Sequence, residues 1–308
     1  MTVRLVAPAV IAGDLADRGW RWLDVVPWDG DGAVPEQARS ADMWVPPYGV
    51  AQSPDFVRET LAAMTALTVV QLQSAGVEPW QTLVPPGVRL CSGRGIHGGS
   101  TAELAVALLL ASVRDLPRYV EQQRQRTWRR HSPASVAGRR VLVLGAGDIA
   151  THAAAALTGL QCEVTLVGRR SRDGVLTWPE ARTRLGSTDV LLVAVPLTPD
   201  TERLVDAEVL AALPEGALVV NIARGAVVDT DALTDEVASG RLRAALDVTD
   251  PEPLPEDHRL WSLPGALLTP HVGGGAEGWE SRARALVADQ VERLHQGREL
   301  RNLVTAGY

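Results

Sequence analysis

The sequence predicts an α/β protein whose second half is a doubly wound parallel sheet, preceded by a smaller α/β unit. Three observations carry this prediction. From residue 141 to 269, short and nearly continuous apolar runs alternate with helical stretches, the pattern of a parallel sheet covered on both faces. The first of these runs opens into a glycine turn followed by an Ala-rich helix. At 308 residues the chain exceeds what one ordinary core organises, so two domains are the default.

The elements follow in order. Val3–Ala7, Asp42–Val45 and Thr68–Gln73 read as strands, with Pro46-Pro47 and Pro85-Pro86 as breaks. Ser100-Thr-Ala-Glu103 fits a capping box, with Ser100 as N-cap of a helix reaching about Arg114. That helix is apolar on nearly every side. It belongs between domains, between subunits, or inside one domain. Residues 118–140 turn polar and basic around Trp128 and read as a connecting excursion. Then come strand Val141–Leu144, helix Thr151–Leu160, strand Glu163–Val167, a helix near Pro179–Leu185 and strand Val190–Val195. Helix Asp206–Leu213, strand Ala217–Ile222, helix Asp231–Ser239 and strands Arg243–Val248 and Ala266–Thr269 complete the alternation. An amphipathic helix from about Glu280 to Gln296 closes the pattern.

Composition removes several function classes. A formal charge of −7 argues against a general nucleic-acid-binding surface. No apolar run spans a bilayer, and the N-terminus lacks a basic head with a long apolar centre, so a cytoplasmic protein is expected. With only Cys91 and Cys162, neither a disulfide framework nor a structural metal site is expected. The chain contains no lysine, which excludes Schiff-base and P-loop chemistry. An anionic substrate must be held by Arg, His, backbone N–H groups or a helix N-terminus.

Val141 to Leu144 runs into Gly145-Ala-Gly147-Asp-Ile-Ala150 and then a helix, a dinucleotide-binding turn in its proper context. Gly145 allows the tight turn, Gly147 lets backbone approach a pyrophosphate, and Ala150 lets helix and strand pack closely. The second strand ends in Gly168-Arg169-Arg170-Ser171-Arg172, with Gly168 where an NAD-binding chain carries an acid for the ribose. Nothing there repels a 2′-phosphate and arginines stand ready to bind one. NADP(H) is therefore expected over NAD(H), with NAD(H) still possible.

Three segments sit at strand ends on the side where open parallel sheets bind ligands: Asn221–Gly225, Asp247–Pro255 and Thr269–Gly274. They contribute Arg224, Glu252 and His271. Reducing a 2-oxo acid needs a hydride, a proton for the carbonyl oxygen and an anchor for the carboxylate. Arg224 suits the anchor, with its planar fork of donors. His271 suits the proton donor, and the base in the reverse direction. Glu252 beside it favours the imidazolium and fixes the ring.

With these motifs, and Val195–Pro199, in this order, the chain resembles the D-isomer-specific 2-hydroxyacid dehydrogenase family, most strongly from Gly93 to Gly274. The resemblance implies a Rossmann-type doubly wound domain, 93–276, inserted into a smaller flavodoxin-like α/β substrate domain formed by 1–92 and a returning C-terminal helix, 277–308. It implies cofactor contacts from Asp148 and Ile149 at the pyrophosphate, Pro196 and Thr201 along the adenine side, and Ile222, Ala223, Arg224, Asp247, His271 and Gly274 around the nicotinamide. It places Gln71–Glu78 as the substrate loop, with Ser74, Ala75 and Gly76 holding the carboxylate. It also implies a homodimer built on the helix after Ser100 and the segment following it, from which Trp128 reaches the partner's site.

The substrate is less legible. Glyoxylate or hydroxypyruvate needs no extra recognition residue and comes first. Tyr48, Trp80 and Trp279 suit either a pocket for a bulky 2-oxo acid or ordinary packing. One alternative from another class remains: a cofactor-sensing, corepressor-like interaction protein with little turnover.

Overall fold

The computed structural model describes residues 2–49 and 53–305. The chain divides into two compact units, one of 1–97 with 276–308 and one of 98–275. Each is built around its own parallel sheet.

The first unit contains β1 (Val3–Ala7), α1 (Ala9–Ala16), β2 (Leu23–Pro27), β3 (Met43–Trp44), α2 (Pro54–Ala63), β4 (Val69–Gln71), α3 (Trp80–Leu83) and β5 (Arg89–Cys91). The five strands are all parallel in the order β2-β1-β3-β4-β5, a flavodoxin-like arrangement that reverses between β1 and β3. Side chains alternate across it. Val6, Trp44, Val70 and Leu90 face a core with α2 and Trp80. Leu5, Met43, Val69 and Cys91 face the opposite core.

The second unit opens with α4 (Gly98–Val113) and α5 (Leu116–Arg124). It continues through β6 (Arg140–Leu144), α6 (Asp148–Gly159), β7 (Glu163–Val167), β8 (Val175–Leu176), α7 (Trp178–Arg182) and β9 (Val190–Val193). Then follow α8 (Ala207–Ala212), β10 (Leu218–Asn221), α9 (Thr230–Ala238), β11 (Arg243–Leu246) and β12 (Ala266–Leu268). The seven strands are parallel in the order β12-β11-β10-β9-β6-β7-β8. Val141 and Val143 of β6 face α4 and α6, while Leu142 and Leu144 face α7 to α9. Burial on both faces explains why these strands read as continuous apolar runs.

α10 (Trp279–His295) belongs to the first unit and packs against α1 and the sheet through Ala283, Val287 and Val291. A buried amide pair fastens it. Gln290 Nε2 donates to Gln71 Oε1 at 2.6 Å, and Arg301 N donates to Gln290 Oε1 at 2.8 Å. Among the described residues no helix is long and apolar enough to cross a membrane.

Two sequence expectations need correction. Ser100 is not an N-cap: α4 begins at Gly98, so Ser100 lies within its first turn. Residues 116–124 form α5 rather than part of an irregular excursion. Leu116, Tyr119 and Val120 recur in it at helical spacing, though none of its residues is buried. The apolar character of α4 is met inside the second unit, where Ala102, Ala105, Leu108 and Leu109 pack into the core shared with α6 and the sheet.

Candidate active site

In the second unit β6 is flanked by β7 on one side and β9 on the other, so the strand order reverses there. Open α/β sheets bind ligands at the C-terminal ends of strands beside such a point. The loops after β6, β7, β9, β10, β11 and β12 carry the residues singled out from the sequence in this unit.

After β6, Gly145 adopts φ +133°, and a Cβ there would lie 2.6 Å from the Ala194 carbonyl oxygen. Only glycine fits. Gly147 precedes α6, and a Cβ on it would meet nothing within 4 Å, so its Cα face is open for close approach by a ligand. Ala150 is fully buried under the turn, and Ile149 is half-buried in the core with α4. The first N–H groups of α6 have no acceptor within the helix. Backbone that can be approached closely, combined with unpaired N–H groups at a helix N-terminus, fits a pyrophosphate.

The Asp148 carboxylate, a concern so near that site, lies against Gly98. A Cβ on Gly98 would sit 2.5 Å from Asp148 Cγ and nearer still to Oδ2. The start of α4 favours an anion, and His152 Nε2 lies 3.5 Å from Asp148 Oδ1.

Gly168 is held at the end of β7 by its N–H, which donates to the Leu176 carbonyl at 2.8 Å. Arg169 and Arg170 are exposed on the turn that follows. Arg172 comes back toward the dinucleotide turn, its Nη2 3.5 Å from the Ala146 carbonyl oxygen. After β9, Thr201 Oγ1 donates to the Pro196 carbonyl at 2.6 Å and accepts from Thr198 N at 2.8 Å, which closes the 196–201 loop on itself.

The loops after β10, β11 and β12 interlock. Buried Asn221 accepts from Ala223 N and donates to the Arg224 carbonyl, each at 3.0 Å, fixing the backbone around Arg224. Arg224 is half-buried, with Nη1 donating to the Ala223 carbonyl at 2.7 Å, while Ile222 and Ala223 are buried beneath it. At Gly225 the loop abuts the next one, and a Cβ there would lie 2.6 Å from Asp250 N and closer to the Thr249 carbonyl. Three residues beyond Thr249 stands Glu252. Its Oε1 is 2.6 Å from His271 Nδ1, with both side chains a little under half exposed. His271 has φ +52°, a left-handed conformation uncommon for a residue with a side chain.

Asp247 holds His271's turn in place, a role the sequence motif does not disclose. Buried at the end of β11, it accepts from Thr269 Oγ1 at 2.6 Å and from the N–H groups of Val272 and Gly273 at 2.9 Å each. Its own carbonyl accepts from His271 N at 2.8 Å. Every residue from Thr269 to Gly273 except Pro270 is bonded to this one side chain or its backbone. Gly274 follows at the edge of the same turn, half-buried.

In the first unit, Ser74, Ala75 and Gly76 follow β4 and are half-buried. Ser74 Oγ donates to the Gly76 carbonyl at 2.8 Å, and the Ser74 carbonyl accepts from Gly93 N at 2.6 Å. Trp80 is 4% exposed and edge-on to Trp44, with centroids 5.8 Å apart, so it is core and not pocket. Trp128 is 94% exposed.

Known proteins resemble this chain along most of its length. The family profile described as D-isomer specific 2-hydroxyacid dehydrogenase, NAD binding domain, matches residues 106–273. A human glyoxylate reductase/hydroxypyruvate reductase is 29% identical across 87% of this chain and 87% of its own. A D-isomer specific 2-hydroxyacid dehydrogenase from Xanthobacter autotrophicus, solved in complex with NADPH and MES, superposes with a TM-score of 0.82 at 29% identity, covering 99% of this chain and 98% of that one. An NADPH-dependent glyoxylate/hydroxypyruvate reductase from Sinorhizobium meliloti, solved with NADP and sulfate, superposes at 0.81 with 27% identity over the whole of both chains.

Proposed function

The chain belongs to the D-isomer-specific 2-hydroxyacid dehydrogenase family, and from that premise we propose that Arg224, Glu252 and His271 carry out its reaction, the reduction of a 2-oxo acid to the D-2-hydroxy acid. It is an NAD(P)-dependent oxidoreductase of small 2-oxo and 2-hydroxy acids. The bound nicotinamide supplies the hydride, and the chain supplies the rest.

The observation that carries the reading is the 2.6 Å bond between Glu252 Oε1 and His271 Nδ1. It assigns Nδ1 to the carboxylate and leaves Nε2 to hand a proton to the carbonyl oxygen. Glu252 also balances the imidazolium charge. Arg224, its loop braced by Asn221, grips the substrate carboxylate and polarises the ketone. The N–H groups of Ser74, Ala75 and Gly76 give the carboxylate a second hold. In the oxidative direction His271 Nε2 takes the proton back.

The reading includes a preference for NADPH. Gly168 brings no carboxylate to the 2′ position, Arg169 and Arg170 lie exposed beside it, and Arg172 adds a third cation next to Ala146. Pro196, Thr201, Ile222, Ala223, Asp247 and Gly274 complete the cofactor contacts, with Asp148 and Ile149 contributing backbone N–H. A homodimer is also part of it, supported by the exposed Leu116, Val120 and Trp128 at α5 and beyond.

The test is a panel of 2-oxo acids with NADPH or NADH consumption followed optically. His271→Ala and Arg224→Ala should each lower kcat/KM by at least about 10²-fold. Near-normal kinetics in either variant removes that residue from the mechanism. Tight NADPH binding with no turnover of any acid defeats the enzymatic reading.

A further inference from the structure

Three rings from distant parts of the chain meet in the first unit. Tyr48 follows β3, His97 ends the segment after β5, and Trp279 opens α10. The centroids of Tyr48 and His97 are 5.6 Å apart, those of Tyr48 and Trp279 5.4 Å, and those of His97 and Trp279 5.7 Å. Each pair lies within the range of favourable tilted and edge contacts.

Hydrogen bonds tie this cluster to the 74–76 loop. His97 Nε2 lies 3.1 Å from the carbonyl oxygen of Gln73, the residue before Ser74. Gln73 Nε2 in turn donates to the Pro46 carbonyl at 2.7 Å, two residues before Tyr48. The rings and the loop therefore stand at the same C-terminal edge of the first sheet. The three differ sharply in burial. His97 is 6% exposed and Trp279 half-buried, but Tyr48 is 57% exposed although two rings brace it. Trp80, by contrast, is spent on the core. A large ring supported from behind and open in front is a surface shaped to be covered.

We propose that Tyr48 and Trp279, steadied by His97, form a wall for the substrate's side chain, and that the enzyme prefers 2-oxo acids with a bulky apolar or aromatic side chain over glyoxylate. The proposal rests on the reading of Ser74–Gly76 as the carboxylate-holding loop. With the carboxylate there, the side chain on C2 starts two bonds away. Glyoxylate has only hydrogen at that position and covers nothing, whereas phenylpyruvate and 4-methyl-2-oxopentanoate carry several carbons. Each methylene taken from water favours binding by roughly fourfold, so covering even two or three yields more than about tenfold. Glyoxylate and hydroxypyruvate remain substrates, and their rank is what changes.

The experiment measures kcat/KM with NADPH for glyoxylate, hydroxypyruvate, 4-methyl-2-oxopentanoate and phenylpyruvate. The wild type should favour one of the two bulky acids over glyoxylate by about tenfold or more. Tyr48→Ala and Trp279→Ala should lower the bulky acid's kcat/KM, mainly through KM, by a much larger factor than glyoxylate's. Trp279→Phe should restore most of the preference and so guards against misfolding. Equal or better use of glyoxylate by the wild type overturns the inference and leaves the 2-oxo acid reading intact. Equal losses for all acids in the alanine variants overturn it as well, since packing alone would do that. If no acid is reduced while NADPH binds, the broader reading fails first and the inference falls with it.

Discussion

Gly225→Ala tests whether the catalytic loops are one mechanical unit. The added methyl would lie 2.6 Å from Asp250 N and closer still to the Thr249 carbonyl, where ordinary contact begins at 3.4 Å. Both neighbours are backbone, and to bring the Thr249 carbonyl to ordinary contact the two loops must part by about 1.5 Å, a degree of overpacking that costs roughly 1–3 kcal/mol. Arg224 is adjacent on one loop and Glu252 lies just beyond on the other, so that shift reaches both ends of the catalytic set. Displacing reacting groups by about 1 Å lowers turnover on the order of 10²-fold. The pyrophosphate turn at Gly145 belongs to a different loop, so NADPH should lose affinity only through the proposed Ile222, Ala223 and Asp247 contacts, and by less than turnover falls. Steady-state kinetics with the best 2-oxo acid, a fluorescence titration with NADPH and a melting curve measure the three quantities. A kcat/KM within about threefold of wild type would refute the reasoning. A loss of NADPH affinity as large as the loss of turnover would refute it too, because the damage would then not be local.

Three further predictions follow from bonds described above or from the sheet edge. Asp247→Asn presents an amide N–H where a main-chain donor now finds an acceptor, costing about 1–3 kcal/mol. It should lower both the melting temperature and kcat/KM, and no change in kcat/KM would show that His271's turn does not depend on it. Gly98→Ala should drive the Asp148 carboxylate off the start of α4 and weaken NADPH binding. Adding Asp148→Ala should restore the affinity, and an equal loss in the double variant would sink this account. Asp189 concerns stability. Burial pushes its carboxyl up, but hydrogen bonds from the Arg140 backbone and side chain, helped by Arg139, outweigh this and hold it below the usual carboxylate range. A lowered folded value stabilises the fold above the unfolded carboxyl value of about 3.9, and the contribution is lost as pH falls through the folded one. The melting-temperature gap between wild type and Asp189→Asn should therefore be widest near neutrality and close in acid. A gap that widens in acid would contradict the assignment.

Much of the second unit could be read in advance because its strands are apolar on both faces. The alternation of Val141 and Val143 with Leu142 and Leu144 feeds two cores at once. The first unit was harder to read. β5 is only three residues long, and β2 carries Asp24 next to its start, so neither gives a clear periodic signal. Ser100 was misplaced because the capping pattern is local, whereas α4 already begins at Gly98, which lies against Asp148 from fifty residues later in the chain. Asp247 could be found by its strand-end position, but its clamp could not, since its side-chain partners lie 22 to 26 residues further on. Tyr48, Trp80 and Trp279 look equivalent as letters. Only burial separates the core tryptophan from the exposed tyrosine.

The first unit is made from both ends of the chain, and this has a consequence for biosynthesis. Its sheet is finished when Cys91 leaves the ribosome, but the face that receives α10 waits until about 180 intervening residues have been translated. At ordinary elongation rates that delay is roughly 10–35 s. Throughout it the second unit can fold to completion, while the face built from Leu5, Met43 and Val69 lacks its last helix. The nascent first unit is thus the species most exposed to aggregation and to chaperone capture, and the synthesis of α10 ends that exposure.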